Sequence, residues 1–319
     1  MRDSLRDARH EVATRLIRAG MDPRVDQLMS RTGYWRIGGP ADVYVDASDA
    51  DQLAVVMGLE VPCTVVGNGS NLLVADAGIR GVTVRLLGTL RASRVDEEAG
   101  ATRVRVGGGL LNQVLLRRLD EQGIYGLEAL AGVPGSLGGA IRMNAGTSLG
   151  EIGERVIEVD VLLPGGPSRT LRAADLEFSY RHCTLPQGAI IVSALLRVER
   201  NPDGLAAARA STAAHLERRR ATQPLDQPSC GSVFRNPPGD TAGRLIEAAG
   251  LKGYRRGGAQ ISARHANFIV NEGGATAADV YALLLLARER VHATTGLVLE
   301  PEVHAVGDWP AGSWPLPAP

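Results

Sequence analysis

Apolar side chains recur every three or four residues in several stretches of the chain, and this spacing predicts helices. The first stretch covers 5–19 and is followed by Gly20, a residue type that commonly ends a helix. The clearest prediction is a helix over 276–295, because Thr276 and Asp279 suit its first turn and Gly296 its end. Further helices are predicted from Ser48 onwards and over 110–123, 205–220 and 244–250.

Short apolar runs separated by glycines or turn residues predict strands. They occupy 61–74, 81–88, 102–109, 154–163, 188–200, 266–271 and 297–307. The segment 126–146 has too many glycines for a regular element. The sequence Asn-Pro-Asp-Gly at 201–204 is a turn signal, and we place the boundary between two domains there.

Composition and charge exclude several classes of protein. Lys and Arg number 35, and so do Asp and Glu, so the net charge gives no basis for binding nucleic acid or membrane surfaces. Cys63, Cys183 and Cys230 are too far apart for a disulfide framework or a metal site. The longest apolar run, 280–287, is too short to span a membrane, and the N-terminal segment lacks the apolar core of a signal peptide. We therefore expect a cytoplasmic protein.

Glycine is unusually frequent, with 39 among 319 residues. Three clusters, at 67–71, 107–109 and 126–146, offer backbone N–H groups that can surround an anion. The first two are not dinucleotide fingerprints, because Leu72 and Asn112 stand where the third glycine of GxGxxG belongs. One such cluster is most simply a turn or a close packing contact. Three together suggest a long ligand, such as a dinucleotide, that lies across several loops.

Candidate catalytic residues each have a structural interpretation as well. Ser232 in CGSVFRNP lacks the two-sided glycine pattern of a hydrolase nucleophile. His265 is more simply a hydrogen-bonded histidine than a base, and Arg181 is more simply an exposed charge. Glu300 and Glu302 would share one face of a strand, where paired carboxylates suggest glycosidase chemistry and a solvated face is the alternative.

Eight motifs occur in an order that is specific in combination. They are RIGGPADV at 36–43, GNGSNLLV at 67–74, GLEALAGVPGSLGGAIRMNAG at 126–146, FSYRHC at 178–183, CGSVFRNP at 230–237, AGLKGYRRGGAQIS at 249–262, HANFIVN at 265–271 and LEPEVHAVG at 299–307. Together they resemble the UDP-N-acetylenolpyruvoylglucosamine reductase (MurB) family of peptidoglycan synthesis over about residues 20–308. The short spacing from FRNP to GLKG is similar to the compact second type of that family. The stretch 147–150 and Arg31 depart from the family pattern.

The resemblance implies an α+β fold. An FAD-binding domain of two lobes, similar to vanillyl-alcohol oxidase and other PCMH-like flavoproteins, would precede a smaller α+β substrate-binding domain. The bounds would be an N-terminal helix at 1–20, the FAD domain at 21–200 with its lobes divided near 75–85, the second domain at 205–308 and a loose tail at 309–319.

The implied activity is NADPH-dependent reduction of UDP-N-acetylglucosamine enolpyruvate to UDP-N-acetylmuramate, with FAD held non-covalently. The expected partner is this small sugar nucleotide, with no nucleic acid and no membrane, and the expected state is a monomer. Two other functions stay open at this point: another FAD-dependent oxidase of hydroxy acids or alcohols, and a non-catalytic nucleotide-binding protein. The motifs around Ser232 and Glu302 disfavour the oxidase.

The resemblance also implies roles for individual residues. Arg181 falls on the catalytic arginine, Ser232 on the proton-donating serine and Glu302 on the catalytic glutamate. Asn236 and Lys252 fall on substrate-binding positions. The implied FAD-binding residues are Gly67, Asn68, Gly69, Ser70, Asn71, Leu72, Gly132, Pro134, Gly135, Gly138, Gly139, Asn144 and Gly146.

Overall fold

A computed structural model describes residues 2–98 and 100–316. The helices are α1 (Arg2–Arg18), α2 (Ala50–Met57), α3 (Asn112–Glu121), α4 (Leu137–Arg142), α5 (Pro202–Thr222), α6 (Ala242–Ala248) and α7 (Ala277–Thr295). Short 3-10 turns cover Met29–Arg31, Gly88–Arg91, Glu128–Leu130, Ile152–Glu154 and Ala173–Leu176. The strands are β1 (Arg24–Leu28), β2 (Pro40–Ala47), β3 (Cys63–Val65), β4 (Leu72–Val74), β5 (Ile79–Leu86), β6 (Ser93–Glu98), β7 (Ala101–Gly107), β8 (Gly146–Thr147), β9 (Gly150–Glu151), β10 (Val156–Leu162), β11 (Ser168–Arg172), β12 (Ile190–Val198), β13 (Arg255–Arg256), β14 (Ala259–Ile261), β15 (Ile269–Asn271) and β16 (His304–Val306).

The chain divides into two compact units, and each is assembled from three separate segments. Unit 1 consists of Met1–Val25, Val43–Asn68 and Val82–Arg218. Unit 2 consists of Asp26–Asp42, Gly69–Gly81 and Arg219–Pro319. The domain bounds expected from the sequence, 21–200 and 205–308, stay a prediction.

Unit 1 contains a five-stranded antiparallel sheet in the order β11-β10-β12-β7-β6. Alternate residues of its central strands, such as Val106 and Val159, are buried against Leu115 of α3 and Ile141 of α4. Leu130 lies in the same core. The glycine-rich stretch between α3 and α4 is therefore fixed to the sheet by its few apolar residues.

A second core in unit 1 lies on one face of the four-stranded sheet β1-β2-β5-β3. Val43 and Val45 of β2 and Val82 and Val84 of β5 are buried there with Leu53 of α2. Because side chains alternate across a strand, the residues between these valines face the other side of the sheet.

Unit 2 packs α6 and α7 against the small sheet β13-β14-β15. Leu245, Leu284 and Ile261, one from each of α6, α7 and β14, are buried together with Phe234. A separate pair of strands, β4 and β16, runs parallel with Leu72 opposite His304. These contacts hold the turn before β4 next to the segment that leads into β16.

Helix α7 is capped as the sequence predicts. The Thr276 hydroxyl accepts the Asp279 N–H at 3.1 Å, the Asp279 carboxylate accepts the Thr276 N–H at 3.0 Å, and Gly296 has a φ of +73°. Asp76 accepts the N–H groups of Ala277 and Ala278 at 2.8 and 3.0 Å, an interaction that the sequence does not reveal. No helix within residues 2–98 and 100–316 is long and apolar enough to cross a bilayer.

The sequence-based interpretation needs three local corrections. The segment 126–146 contains Glu128–Leu130 and α4, because Leu130, Leu137 and Ile141 supply enough buried surface to order it. The strand predicted over 297–307 is reduced to β16. The turn predicted at 201–204 is the start of α5, since the Asn201 side-chain oxygen accepts the Gly204 N–H at 2.7 Å.

The C-terminal segment is packed where the sequence predicts a loose tail. The Trp309 and Trp314 rings lie 5.6 and 6.5 Å from the Tyr281 ring of α7, and the Tyr281 hydroxyl donates to the Ser313 carbonyl at 2.9 Å. Leu316 is 7% exposed and belongs to the unit 2 core. Aromatic burial therefore orders 309–316, and 317–319 lie outside the described residues.

Candidate active site

Gly67 follows β3 in unit 1 and lies against Ser136, the residue before α4. A Cβ atom added to Gly67 would overlap the Ser136 hydroxyl and lie 3.8 Å from the Ser136 backbone nitrogen. Four backbone N–H groups, three in these two loops and one in the first turn of α4, donate no hydrogen bond within the described residues (Gly67, Gly135, Ser136 and Gly139). Unpaired N–H groups on adjoining glycine-rich loops form a surface suited to phosphate oxygens.

The stretch 132–135 is held on α3 by Asn112. This buried residue donates its backbone N–H to the Gly135 carbonyl at 3.0 Å and its side-chain N–H to the Val133 carbonyl at 3.3 Å. Gly132 and Gly135 have φ values of +69° and +112°, which L side chains rarely adopt. Glycine is therefore required at both positions by the backbone itself, and Pro134 between them has no N–H to pair.

The two glycines of α4 have different surroundings. The Gly138 N–H donates to the Gly108 carbonyl at 2.8 Å, and a Cβ on Gly138 would lie only 3.1 Å from that oxygen. A Cβ on Gly139 would meet the Ser136 hydroxyl oxygen at 3.6 Å, an ordinary contact distance. Packing within the protein explains the glycine at 138 and gives no reason for the one at 139.

The glycines at 107–109 allow neighbouring backbone segments to pack closely against them. Added Cβ atoms would overlap the carbonyl of Leu90 at Gly107 and the carbonyl of Ile191 at Gly108. The Gly108 N–H donates to the Val192 carbonyl at 2.8 Å. Because protein backbone occupies the space beside these glycines, this cluster is not a ligand cradle.

Arg181 lies in a tight turn of unit 1. Ser179 and His182 exchange backbone hydrogen bonds of 3.1 and 2.9 Å, and Arg181 has a φ of +56°. The guanidinium donates from Nη2 to the Gly146 carbonyl at 3.1 Å and lies 5.0 Å from the Tyr180 ring centroid. The turn thus places Arg181 at the end of the second predicted FAD-binding segment.

Asn144 connects that segment to the Arg181 turn. It is 1% exposed, has a φ of +42°, and its side-chain N–H donates to the Ser179 carbonyl at 2.9 Å and to the Glu151 carboxylate at 2.6 Å. Its side-chain oxygen accepts the Gly153 N–H at 2.9 Å. A buried amide with its partners satisfied is stiff, so Asn144 fixes the turn that carries Arg181.

In unit 2, the turn before β4 adjoins Glu302. The Asn71 side chain donates to the Glu302 carbonyl at 2.9 Å, and the His304 N–H donates to the Asn71 carbonyl at 3.0 Å. The Glu302 N–H donates to the Val233 carbonyl at 2.8 Å. Glu302 therefore lies between part of the first glycine cluster and the segment that carries Ser232.

Cys230 and Ser232 flank Gly231, whose φ is +75°. The Cys230 thiol donates to the Gly69 and Leu72 carbonyls at 3.6 and 3.8 Å, and burial raises its pKa to about 12, so it stays protonated. Ser232 is half-buried, and its hydroxyl makes no hydrogen bond within the described residues. Of the two groups, the serine hydroxyl is the one available to a ligand.

Asn236 and Lys252 lie at opposite ends of α6. The Asn236 side-chain oxygen accepts the Ala242 N–H at 3.0 Å at the start of the helix. The Lys252 ammonium lies 3.0 Å from the Glu247 carboxylate, just after its end. One short helix thus positions both residues to which the sequence assigns substrate binding.

His265 is a hydrogen-bonded histidine beside this pair. Its Nδ1 accepts the Asn267 N–H at 3.2 Å, and its ring lies edge-on to Phe268 with centroids 4.9 Å apart. Burial lowers the pKa of His265, and the neighbouring Lys252 charge lowers it further. These contacts match the structural interpretation of this residue.

The structure groups the candidate residues within each unit. In unit 1, Asn144, Gly146 and Arg181 meet, and Gly67 meets the loop before α4. In unit 2, the turn 69–72, Cys230 and Glu302 meet. Sequence reasoning missed Ser136 and Glu247, although a serine just before a short helix and a carboxylate five residues from a lysine were both available as signals.

Comparison with known proteins gives matches along most of the chain, to the same family that the sequence motifs resemble. A family model described as an FAD binding domain matches residues 41–172, and one described as the UDP-N-acetylenolpyruvoylglucosamine reductase C-terminal domain matches residues 223–306. The UDP-N-acetylenolpyruvoylglucosamine reductase of Anaeromyxobacter dehalogenans (strain 2CP-C) is 46% identical over 306 residues, which cover 95% of this chain and 90% of that protein. That of Alkalilimnicola ehrlichii is 47% identical over 88% of this chain and 93% of its own length.

A solved structure also matches. The crystal structure of UDP-N-acetylenolpyruvylglucosamine reductase from Thermus caldophilus has a TM-score of 0.75 and 35% identity, and covers 90% of this chain and 98% of that one. The match confirms the α+β fold with its FAD-binding and substrate-binding parts that the sequence predicts. The chain belongs to the UDP-N-acetylenolpyruvoylglucosamine reductase family.

Proposed function

We propose that this chain is an NADPH- and FAD-dependent oxidoreductase that reduces UDP-N-acetylglucosamine enolpyruvate to UDP-N-acetylmuramate, a step in peptidoglycan precursor synthesis. The observation that carries the proposal is the 46% identity to a reductase of this name along 95% of the chain. No feature of the described site favours the oxidase or the non-catalytic alternative. The proposal includes two finer points, a monomeric state and a cytoplasmic location, where NADPH and sugar nucleotides are supplied.

The glycine loops of unit 1 fit the cofactor. The diphosphate of FAD needs donors and close backbone approach, and Gly67, Ser136 and Gly139 supply unpaired N–H groups there. Gly139 has room for a methyl group in the protein alone, so a ligand against α4 explains why glycine stands at that position. The flavin, when bound, carries hydride from NADPH to the vinyl group of the substrate.

Arg181 would stabilise charge that develops during the reduction. Addition of hydride at the terminal vinyl carbon leaves negative charge on the neighbouring carbon and on the attached carboxylate. A guanidinium is always charged and offers several fixed donors, so it suits a delocalised anion. Arg181 donates from Nη2 to the Gly146 carbonyl at 3.1 Å, and this bond helps to set the orientation of the guanidinium.

Ser232 would give the proton that completes the reaction. The neighbouring carbon gains a proton while the terminal carbon gains the hydride, which yields the lactyl ether. A hydroxyl is a weak acid, so its contribution depends on position more than on its pKa. The Ser232 hydroxyl has no hydrogen bond within the described residues, and the adjacent thiol of Cys230 is already committed to two carbonyls.

Glu302 would be the third catalytic residue. It is half-buried beside the Ser232 segment and, by sharing a proton, would assist the same developing enolate as Arg181. Lys252 and Asn236 would contact the nucleotide diphosphate and sugar. The Glu247 carboxylate at 3.0 Å holds the Lys252 ammonium in one place until a diphosphate provides stronger acceptors.

The test separates the two half-reactions in stopped flow. In Ser232→Ala, reduction of the flavin by NADPH should proceed at nearly the parent rate, and anaerobic re-oxidation by the enolpyruvyl sugar nucleotide should slow about 10²–10⁴-fold. Ser229→Ala is the matched control, because Ser229 is half-buried in the same segment. Re-oxidation of Ser232→Ala within a few-fold of the control would refute the role of Ser232. Absence of substrate-dependent re-oxidation in the parent protein would refute the proposed activity itself.

Two further measurements address the finer points. Light scattering of the flavin-loaded protein should give a mass close to 33.6 kDa for a monomer, and twice that value would contradict the proposed state. Fractionation of the native host should recover the protein with cytoplasmic markers. Recovery with the envelope would contradict the proposed location.

A further inference from the structure

A cluster of charged side chains lies on the outward face of the sheet β1-β2-β5 in unit 1. It consists of Arg24, Tyr44, Asp46, Arg85 and Arg91, and we refer to it as the Tyr44 cluster. Tyr44 and Asp46 alternate in β2 with buried valines, so they face away from the core. None of the five belongs to the glycine loops or to the substrate positions described above.

The contacts within the cluster are short and centred on Tyr44 and Asp46. Arg85 donates to both Asp46 oxygens, at 2.8 and 3.2 Å, and Arg24 donates to one of them at 2.6 Å. The Arg24 and Arg85 guanidinium carbons lie 4.7 and 5.9 Å from the Tyr44 ring centroid. Arg91 donates from Nε to the Leu86 carbonyl at 3.0 Å.

The charges of the cluster do not balance. Three guanidinium groups face one carboxylate, and both oxygens of that carboxylate are already occupied by Arg24 and Arg85. Arg91 makes no ion pair or hydrogen bond with a carboxylate within the described residues, although the Asp46 charge acts on it. Burial lowers the pKa of Arg91, and the nearby Arg85 charge lowers it further, while Asp46 and Tyr44 act in the opposite direction.

Several donors of the cluster are unused. The Arg24 Nε is buried and makes no hydrogen bond within the described residues. The Tyr44 hydroxyl also makes no hydrogen bond within the described residues. Both Nη groups of Arg91 are also without an acceptor there. Of these donors, the Arg24 Nε is the one whose burial without a partner costs stability, and the others can serve a ligand in place of water.

We propose that the Tyr44 cluster is a binding site for the phosphate group of a small molecule, separate from the cofactor and substrate sites. A phosphate dianion has the charge that the cluster lacks, and its oxygens accept from several guanidinium groups at once. A single carboxylate offers two oxygens and one charge, and would leave part of the excess uncompensated. The Arg24 and Arg85 side chains are 41% and 31% exposed, so the site is open to solvent.

The experiment is calorimetric titration of the flavin-loaded protein with inorganic phosphate at constant ionic strength. Arg91→Gln removes the guanidinium that has no ion pair with a carboxylate and keeps a shorter, neutral polar side chain. It should weaken binding about tenfold or more, the usual loss when one charge-assisted hydrogen bond is removed. Arg94→Gln is the control, because Arg94 lies three residues further on and is 76% exposed. It should bind phosphate as the parent does.

A second variant and a second probe keep the result clear. Tyr44→Phe leaves the ion pairs in place and removes only the hydroxyl, so it should weaken binding a few-fold without a change in far-ultraviolet circular dichroism. Adenosine monophosphate as the probe distinguishes a nucleotide ligand, which would bind more tightly than phosphate, from the free ion. Equal phosphate affinity in the parent and Arg91→Gln would overturn the proposal, because the ion would then occupy another site. Absence of saturable binding to the parent would do the same.

Discussion

Two glycine-rich stretches of unit 1 look alike in sequence and differ in what surrounds their α-carbons. At 107–109, the carbonyl groups of Leu90 and Ile191 fill the space where side chains would be. At 135–139, the N–H groups of Gly135, Ser136 and Gly139 are unpaired within the described residues, and a methyl group on Gly139 would fit. The first stretch is closed by the protein's own backbone. The second is open at Gly139, whereas its Gly138 packs against the Gly108 carbonyl.

The difference shows that glycine content alone does not identify a ligand loop. A glycine forced by neighbouring backbone is part of the fold, and its replacement should cost stability. A glycine with free space beside it has no such role in the protein alone. Its replacement should affect a ligand. Replacement of Gly108 and of Gly139 tests this distinction directly, and changes at Asn144 and His265 compare other parts of the two units, from the largest expected effect to the smallest.

Gly108→Ala should destabilise the protein by about 3 kcal/mol. The added methyl group would overlap the Ile191 carbonyl. The hydrogen bond from the Gly108 N–H to the Val192 carbonyl leaves the backbone little freedom to move away. Urea unfolding followed by circular dichroism measures this loss. A urea midpoint equal to that of the parent would show that the segment after β7 moves away from β12 at little cost. The backbone of Ile191 would then not be the reason for glycine at position 108.

Asn144→Gly should cost about 2 kcal/mol, because glycine retains the positive φ and removes only the side-chain hydrogen bonds. It should also slow flavin re-oxidation by the substrate, since the Arg181 turn loses its connection through Ser179. Urea unfolding and stopped flow on the same samples give both values. A loss of stability with unchanged re-oxidation would mean that Asn144 does not position Arg181.

Gly139→Ala should leave stability unchanged or raise it by about 0.5–1 kcal/mol, as alanine is the better helix former. It should weaken FAD binding about tenfold, because the methyl group occupies space that the open stretch offers to the cofactor. Fluorescence titration of the deflavinated protein with FAD measures the affinity. Retention of parent affinity would place the cofactor away from α4.

The smallest effect on stability is expected in unit 2, at His265. Here a substitution changes which group takes up a proton and fills nearly the same space. Burial lowers the pKa of His265 below that of an unfolded histidine, so the unfolded chain takes up this proton first as the pH falls. The neutral His265 contributes fully to the free energy of unfolding above the ordinary histidine pKa of about 6.5. This contribution is lost as the pH falls below that value.

His265→Gln should therefore flatten the decline in urea midpoint between about pH 7.5 and 5.5. Lys252→Ala should flatten it in part, because the neighbouring Lys252 charge contributes to the lowered pKa. If both variants follow the parent profile, other groups determine the acid sensitivity of unit 2.

Local sequence signals predicted much of the fold. Helix α7 was found because Thr276, Asp279 and Gly296 interact with residues close in sequence. Strands β6 and β11 were not found, and they are the two edges of the five-stranded sheet. Edge strands bury little of their surface, so their sequences carry few apolar residues and no clear alternation.

The sequence predicted those site residues that lie within recognisable motifs. Resemblance supplied Arg181, Ser232 and Glu302, and their assigned roles stay predictions. The status of Gly107, Gly108 and Gly109 could not be read from sequence, because the atoms that fill the space beside them belong to residues as distant as Ile191. The Tyr44 cluster was also invisible, since it joins three strands and a 3-10 turn that are far apart in sequence.

The parallel pairing of β4 with β16 has a consequence for synthesis on the ribosome. Val74 and Val306 are partners, so β4 emerges about 230 residues before the strand that covers it. At a usual translation rate of about 5–20 residues per second, the delay is on the order of 10–50 s. During this time a nascent chain presents an unpaired strand with Leu73, a residue wholly buried in the finished protein. Expression should therefore depend on chaperones that bind short apolar segments of unfinished chains.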